Sequence, residues 1–183
     1  MRLWPSVFSF KKLFWGLRAL LYNIHWGSFG MPGYIGPPTY ILGAKNIIVG
    51  KNVRIYPGIR LECHFGGRII IGDDVSIAQN VHITSAYDDL IIHRGVVILA
   101  NSFVTNIHHS YEPIDIPPSK RKLEFKKTEI FDNCFIGMGV AILPGVILGE
   151  GSVVGANSTV TKSFSKHSIL AGSPAAVIKY ISS

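Results

Sequence analysis

The sequence predicts an all-β solenoid, a triangular prism wound from six-residue repeats, and two observations carry that prediction. First, an aliphatic residue recurs every six positions along Ile130, Ile136, Ile142, Leu148, Val154 and Val160. A helix places apolar residues three and four apart and a half-buried strand every second one, so a strict six requires short strands separated by corners. Second, small or turn-forming residues fill the intervals. Four positions after the aliphatics stand mostly small side chains (Cys134, Val140, Val146, Ser152, Ser158), and Gly137, Gly149 and Gly155 directly follow three of them. One hexad then lays one short strand on one face, three hexads close a coil, and Gly, Asn and Asp take the corners, where a Cβ is penalised.

Size and composition agree with one domain that owns a core: 183 residues, of which 48% are hydrophobic and 16% charged. The formal charge of +7 favours anionic partners such as phosphates, an acidic cofactor or a lipid surface. No nucleic-acid motif accompanies that charge, so no nucleic-acid partner is expected. Cys63 and Cys134 both fall inside the repeat and read as reduced core residues, which suits the cytoplasm. The N-terminal apolar run is broken by Lys11, Lys12 and Arg18, and no small-residue cleavage site follows it. No stretch reaches the ~18 to 20 apolar residues that a membrane span requires.

In chain order, Phe10, Leu13, Phe14, Leu17, Leu20, Leu21 and Ile24 are spaced by three and four, which predicts an amphipathic helix. Its cations, with Trp4, Trp15, Tyr22 and Trp26, suit a lipid boundary through residues 4–26; packing over an open solenoid end or a neighbouring subunit fits equally well. Gly27 to Pro38 is rich in Gly and Pro and predicts an irregular connection, so residues 1–38 are set apart from a solenoid over 39–183. Hexads then fall at Val49, Ile55, Leu61, at Ile71, Ile77, Ile83, and at Ile92, Ile98, Val104. Spacings of ten and nine between these blocks predict small bulges around His64 to Gly67 and Ala86 to Asp88. Between Val104 and Ile130 the period stops and then resumes unchanged, which predicts a protruding loop over 105–129. Long excursions from a rigid scaffold are where chemistry usually sits. This one carries His108 and His109, then Lys120, Arg121, Lys122, Lys126 and Lys127, which suit either solvent or an anionic ligand. Residues 162–183 leave the repeat and predict a cap on the last coil.

The run FIGMGVAILPGVILGEGSVVGANSTVTKS, followed by ILAGSPAAVIK, and the earlier IGDDVSIAQNVHI resemble the hexapeptide-repeat O-acetyltransferases of the galactoside, maltose and bacterial polysaccharide type. The resemblance covers roughly Val49 to Lys179. It implies a left-handed parallel β-helix, a homotrimer with sites between prisms, acetyl-CoA as donor, a sugar or glycan acceptor and no metal. It carries the catalytic histidine to the loop, to His109 or to His108. Polysaccharide-type relatives have Asp-His-x-His followed by Tyr two residues later, and alignment on Tyr111 selects His109 while leaving Ile107 at the first histidine. Donor contacts map to Met138, Gly139, Ala156, Thr161, Lys162 and Lys179. The acceptor region offers Tyr56, Glu62, His64 and Asn106, without the acidic set of galactoside-type relatives, which points towards a sugar of a surface polysaccharide or lipid-linked glycan made on the cytoplasmic side.

Acetyl transfer to a hydroxyl needs a base, which imidazole supplies near neutral pH, and amide donors for the oxyanion, for which the Gly137 to Gly139 corner is the expected source. Two other readings use the same scaffold. A carbonic-anhydrase-like metal enzyme would draw on His64, His82, His93, His108 and His109, although their spacing does not match that family. A non-catalytic scaffold would need neither a histidine loop nor the C-terminal signature.

Overall fold

A computed structural model describes residues 6–181; Trp4 and the last two residues of the predicted cap lie outside the described residues. The chain forms a left-handed parallel β-helix of about six coils behind a single N-terminal helix. The first face of the prism stacks Ser28–Phe29, Ile47–Val49, Arg68–Ile71, Asp89–Ile92, Thr128–Ile130 and Ile147–Leu148. The second stacks Tyr34–Ile35, Arg54–Ile55, Ser76–Ile77, Val97–Ile98, Phe135–Ile136, Val153–Val154 and Ser168–Gly172, closed by the antiparallel strand Ala175–Tyr180. The third stacks Tyr40–Leu42, Arg60–His64, His82–Ala86, Phe103–Thr105, Ala141–Ile142 and Thr159–Val160.

The predicted hexads are the register of these sheets. Val49, Ile71, Ile92, Ile130 and Leu148 pair in succession up the first face, Ile55, Ile77, Ile98, Ile136 and Val154 up the second, and Leu61, Ile83, Val104, Ile142 and Val160 up the third. All are buried and belong to one continuous core. A two-residue strand has little stability alone, so each inward aliphatic is held by the ones above and below it.

Corners repeat as regularly as strands. Between the first and second faces, Asn52, Asp74, Gly95, Asn133 and Gly151 all adopt positive φ. The Asp74 amide donates to the Lys51 carbonyl of the coil before it, Asn133 to Arg94 and Gly151 to Asp132. Asn and Asp tolerate this left-handed conformation better than other side chains, and the side-chain amide Nδ2 of Asn52 donates across to the Asp74 carboxylate at 3.2 Å.

One expectation is corrected. The Gly/Pro-rich stretch from Gly27 to Pro38 is not an irregular connection but most of the first coil: Phe29, Ile35 and Ile41 pair with Val49, Ile55 and Leu61. Those three residues are themselves six apart. Gly and Pro occupy the corners between them, and a Cβ on Gly30 would lie 2.6 Å from the Gly50 backbone.

The helix α1 (Ser6–Tyr22) crosses this first coil. Ala19 is fully buried, Trp15 packs against Tyr34 and Tyr56 with ring centroids 5.8 and 6.2 Å away, and Tyr22 stacks on the buried Trp26. Arg18 donates to the Ile35 carbonyl, and Lys12 stands over the Tyr34 ring. Of the aromatic residues expected at a lipid boundary, Trp15, Tyr22 and Trp26 are therefore the ones that fasten α1 to the prism. Among the described residues, no helix is long and apolar enough to cross a membrane.

Ile98 sits in the fourth coil between Ile77 and Ile136, wholly buried. Ile98→Ala should cost about 2–5 kcal/mol in urea unfolding, and a loss well under 1 kcal/mol would contradict a continuous core.

Candidate active site

The expected loop leaves the prism at the end of Phe103–Thr105 and returns at Thr128–Ile130. It is a built excursion rather than a loose basic run. Ile107–His109 pairs antiparallel with Leu123–Phe125, in the register Ile107 with Phe125, His108 with Glu124 and His109 with Leu123. Arg121 gathers the tip, its guanidinium donating to the carbonyls of Ile116 at 2.7 Å, Tyr111 at 3.0 Å and Ile114 at 3.3 Å. A cavity of about 450 Å³ opens inside the loop between Ser110, Glu112, Ile116 and Lys120 to Glu124.

The two histidines have different surroundings because successive strand residues face opposite ways. His108 is half-buried: its Nε2 is 3.2 Å from Glu124 Oε2, its ring tilts against Tyr111, and its Nδ1 is buried with no hydrogen-bond partner among the described residues. His109 is exposed.

The base of the hairpin is fixed by Asn106, which corrects the expectation that this residue meets the acceptor. It is fully buried and its amide faces inward, accepting from the Ala86 amide at 2.9 Å and donating to Ser85 Oγ at 3.1 Å and to the Ala86 carbonyl at 3.3 Å. Thr128 completes the seal, donating to the Thr105 carbonyl at 2.9 Å. Tyr56 is likewise drawn elsewhere, into the aromatic cluster beneath α1 on the second face.

Glu62 and His64 do come together, on the outer side of the third face. Sequence reasoning missed their partners: Arg60 and His82 converge on the same carboxylate. His64 Nε2 is 2.9 Å from Glu62 Oε2, His82 Nε2 is 3.2 Å from Oε1, and the Arg60 Nε bonds to Oε1. Thr84 Oγ1 adds a contact to His82 Nε2 at 2.9 Å. Burial alone would raise the Glu62 pKa, but hydrogen bonds from His64 and Arg60, with the Arg60 charge, hold it below the usual carboxylate value. Burial lowers the His82 pKa against the pull of Glu62. A second such pair lies on the first face, where Glu129 is contacted by His93 Nε2 at 2.7 Å and Lys127 Nζ at 2.8 Å. Among the described residues, no group of three or more His, Cys, Asp or Glu is arranged to hold a metal ion.

The residues expected to meet the donor divide between the two edges of the third face. Met138 and Ala156 occupy the corner that precedes it, in successive coils, with the Asn157 amide donating to the Met138 carbonyl at 2.8 Å. Thr161 and Lys162 lie at the edge that follows it, two coils beyond the exit of the histidine hairpin and both exposed. Lys179 stands on the terminal strand opposite Ile169. The oxyanion expectation is narrowed: the Gly137 amide donates to the Val154 carbonyl and that of Gly139 to the Ala100 carbonyl, so coil stacking uses both and leaves Met138, at the exposed centre of that corner. Cys63 and Cys134 are buried, and burial pushes each thiol up to about 11, so neither is poised as a nucleophile.

A left-handed prism with an ordered histidine hairpin and a glycine-cornered C-terminal edge defines a class of transferase scaffold. The profile of the bacterial transferase hexapeptide (six repeats) family matches residues 127–162. WbbJ of Escherichia coli K12, named for O-acetyl transfer in lipopolysaccharide biosynthesis, is 36% identical over 78% of this chain and 76% of its own. Galactoside O-acetyltransferase of the same organism is 30% identical over 90% of this chain and 68% of its own. A solved structure of AntD, an N-acyltransferase from Bacillus cereus in complex with dTDP-4-amino-4,6-dideoxyglucose and coenzyme A, superposes with a TM-score of 0.78 at 25% identity, covering 91% of this chain and 89% of that one. The chain belongs to the hexapeptide-repeat acetyltransferase family.

The Glu62 cluster makes stability pH-dependent with a definite sign. Both Glu62 and His82 have folded pKa values below their ordinary ones of 4.5 and 6.5, so the folded state binds fewer protons than the unfolded state. Their contribution is present above those values and lost as pH falls through them. Thermal melts should show an acid-side loss of stability whose lower part is reduced in Glu62→Gln; an unchanged profile would remove Glu62 as its source.

Proposed function

We propose that the protein transfers an acetyl group from acetyl-CoA to a sugar hydroxyl of a surface polysaccharide or lipid-linked glycan, with His109 as general base. The observation that carries this reading is the hairpin, which presents an exposed imidazole from the edge of the prism that also bears Thr161 and Lys162. Relatives named for sugar acetylation, and a structural neighbour holding coenzyme A and a nucleotide-linked amino sugar, support the donor and the acceptor class.

His109 takes the hydroxyl proton as the sugar oxygen attacks the thioester carbonyl. The tetrahedral intermediate then collapses, the carbon–sulfur bond breaks, and the imidazolium returns its proton to the leaving thiolate. The route is direct because neither buried cysteine can form an acyl-enzyme. His108, paired with Glu124, holds the hairpin rather than the proton. Pantetheine runs beside Met138, Gly139, Ala156 and Thr161, Lys162 and Lys179 meet the nucleotide phosphates, and the Glu62 and His64 pair offers the acceptor hydrogen-bonding groups. Because these residues occupy separate edges of one prism, a second subunit of a homotrimer completes each site. Light scattering should give the trimer mass, and a fully active monomer would defeat that arrangement.

His109→Ala should lower kcat by about 10²- to 10⁴-fold with acetyl-CoA affinity nearly unchanged, while His108→Ala costs much less. The acidic limb of the pH–rate profile should vanish in the His109 variant, because the ring must be neutral to accept a proton. A full-rate His109→Ala beside an inactive His108→Ala would move the role to its neighbour.

A further inference from the structure

The apolar stripe of α1 faces away from the protein that it is attached to. Trp15, Ala19 and Tyr22 turn towards the prism, and the opposite side presents Phe10, Leu13, Phe14, Leu17, Leu20, Leu21 and Ile24, each at least 50% exposed. Six large apolar side chains on one helix face, continued by Ile24 in the turn that follows, exceed what a soluble surface normally carries.

Charge is distributed with equal asymmetry. The first 61 residues contain eight of the 18 Lys and Arg residues and none of the 11 Asp and Glu residues, the first acid being Glu62. The remaining chain has ten basic and eleven acidic residues, so the whole positive excess belongs to the first 61 residues, most of it to α1 and the first coils. Lys11, Lys45, Lys51 and Arg54 are exposed there.

We propose that this end of the prism docks on an anionic lipid bilayer, with the α1 stripe in the acyl boundary and the surrounding cations against headgroups. Charge selects the occupant. Two copies pressed together through this face would oppose two acid-free basic segments, whereas anionic headgroups neutralise them. The helix is too short and too firmly fastened to the first coil to span, so it lies in the interface. The proposal does not rest on the acetyl acceptor.

The test is flotation of the full chain with phosphatidylcholine vesicles, with and without phosphatidylglycerol. The protein should float with the anionic vesicles and be partly released by salt, as screening predicts. Leu17→Glu with Leu21→Glu changes only exposed positions and should weaken partition by at least about tenfold, with thermal melts unchanged. Lys11→Glu with Lys45→Glu and Lys51→Glu should remove the preference for phosphatidylglycerol. A wild type that stays in solution, or a Leu17/Leu21 variant that floats equally well, overturns the proposal. If the wild type does not float and the leucine variant changes mass in light scattering, the stripe joins copies of the chain instead.

Discussion

Every sixth residue this chain must turn through a corner of a triangle, and the structure follows from how those turns are satisfied. A left-handed residue at the corner aims its amide at the coil before, as Asp74 does to Lys51 and Gly139 to Ala100. The turn and the bond between coils are thus one interaction. It keeps the inward aliphatics in register, so that Ile77, Ile98 and Ile136 stack without a slip. A one-residue slip would turn the aliphatic row outward, which burial opposes at every coil.

The same constraint decides where chemistry can be placed. The corner amides of Gly137 and Gly139 are committed to stacking, which is why these two cannot also serve an oxyanion. What the prism leaves available are outward side chains and departures from the period. Three departures leave from one edge, at the ends of Arg60–His64, His82–Ala86 and Phe103–Thr105, and Asn106 ties the third to the second through the Ala86 amide. The histidine hairpin is therefore anchored by a neighbouring bulge as well as by its own strands.

Periodicity made the inward half of the molecule legible: all fifteen hexad positions from Val49 to Val160 stand in their expected pairings. It failed where composition distracted from spacing, as at Phe29, Ile35 and Ile41 among glycines and prolines. The outer half was harder to read because neighbours there are a whole coil apart. Arg60 and His82 are 22 positions distant in sequence, one coil of eighteen plus the four-residue bulge. Adding the bulge to the coil length would have placed His82 opposite Arg60, and so beside Glu62. Glu124 opposite His108 could not be found this way, since the hairpin register obeys its own turn. For α1, spacing located the apolar stripe and left open which way it faces; in the fold the stripe is exposed. Trp15, between the stripe positions, packs against Tyr34, and Tyr22 stacks on Trp26, which in turn meets Phe29.

Rigidity along the axis connects the two ends of the molecule. Coils rise by about 4.8 Å, so the hairpin, which leaves from the fourth coil, stands about 14 Å along the axis from the coil that carries α1. A prism built this way cannot bend to bring its hairpin closer to a surface, and two-residue strands leave no hinge between coils. With α1 in a bilayer, the imidazole would then be held at a fixed height above the headgroups. A sugar attached directly to a lipid carrier would lie below it, whereas one further along a glycan would come level with it. With the prism axis upright on such a surface, the first coils would act as a spacer, and the number of coils beneath the hairpin would set which residue of a lipid-linked glycan came within reach of His109.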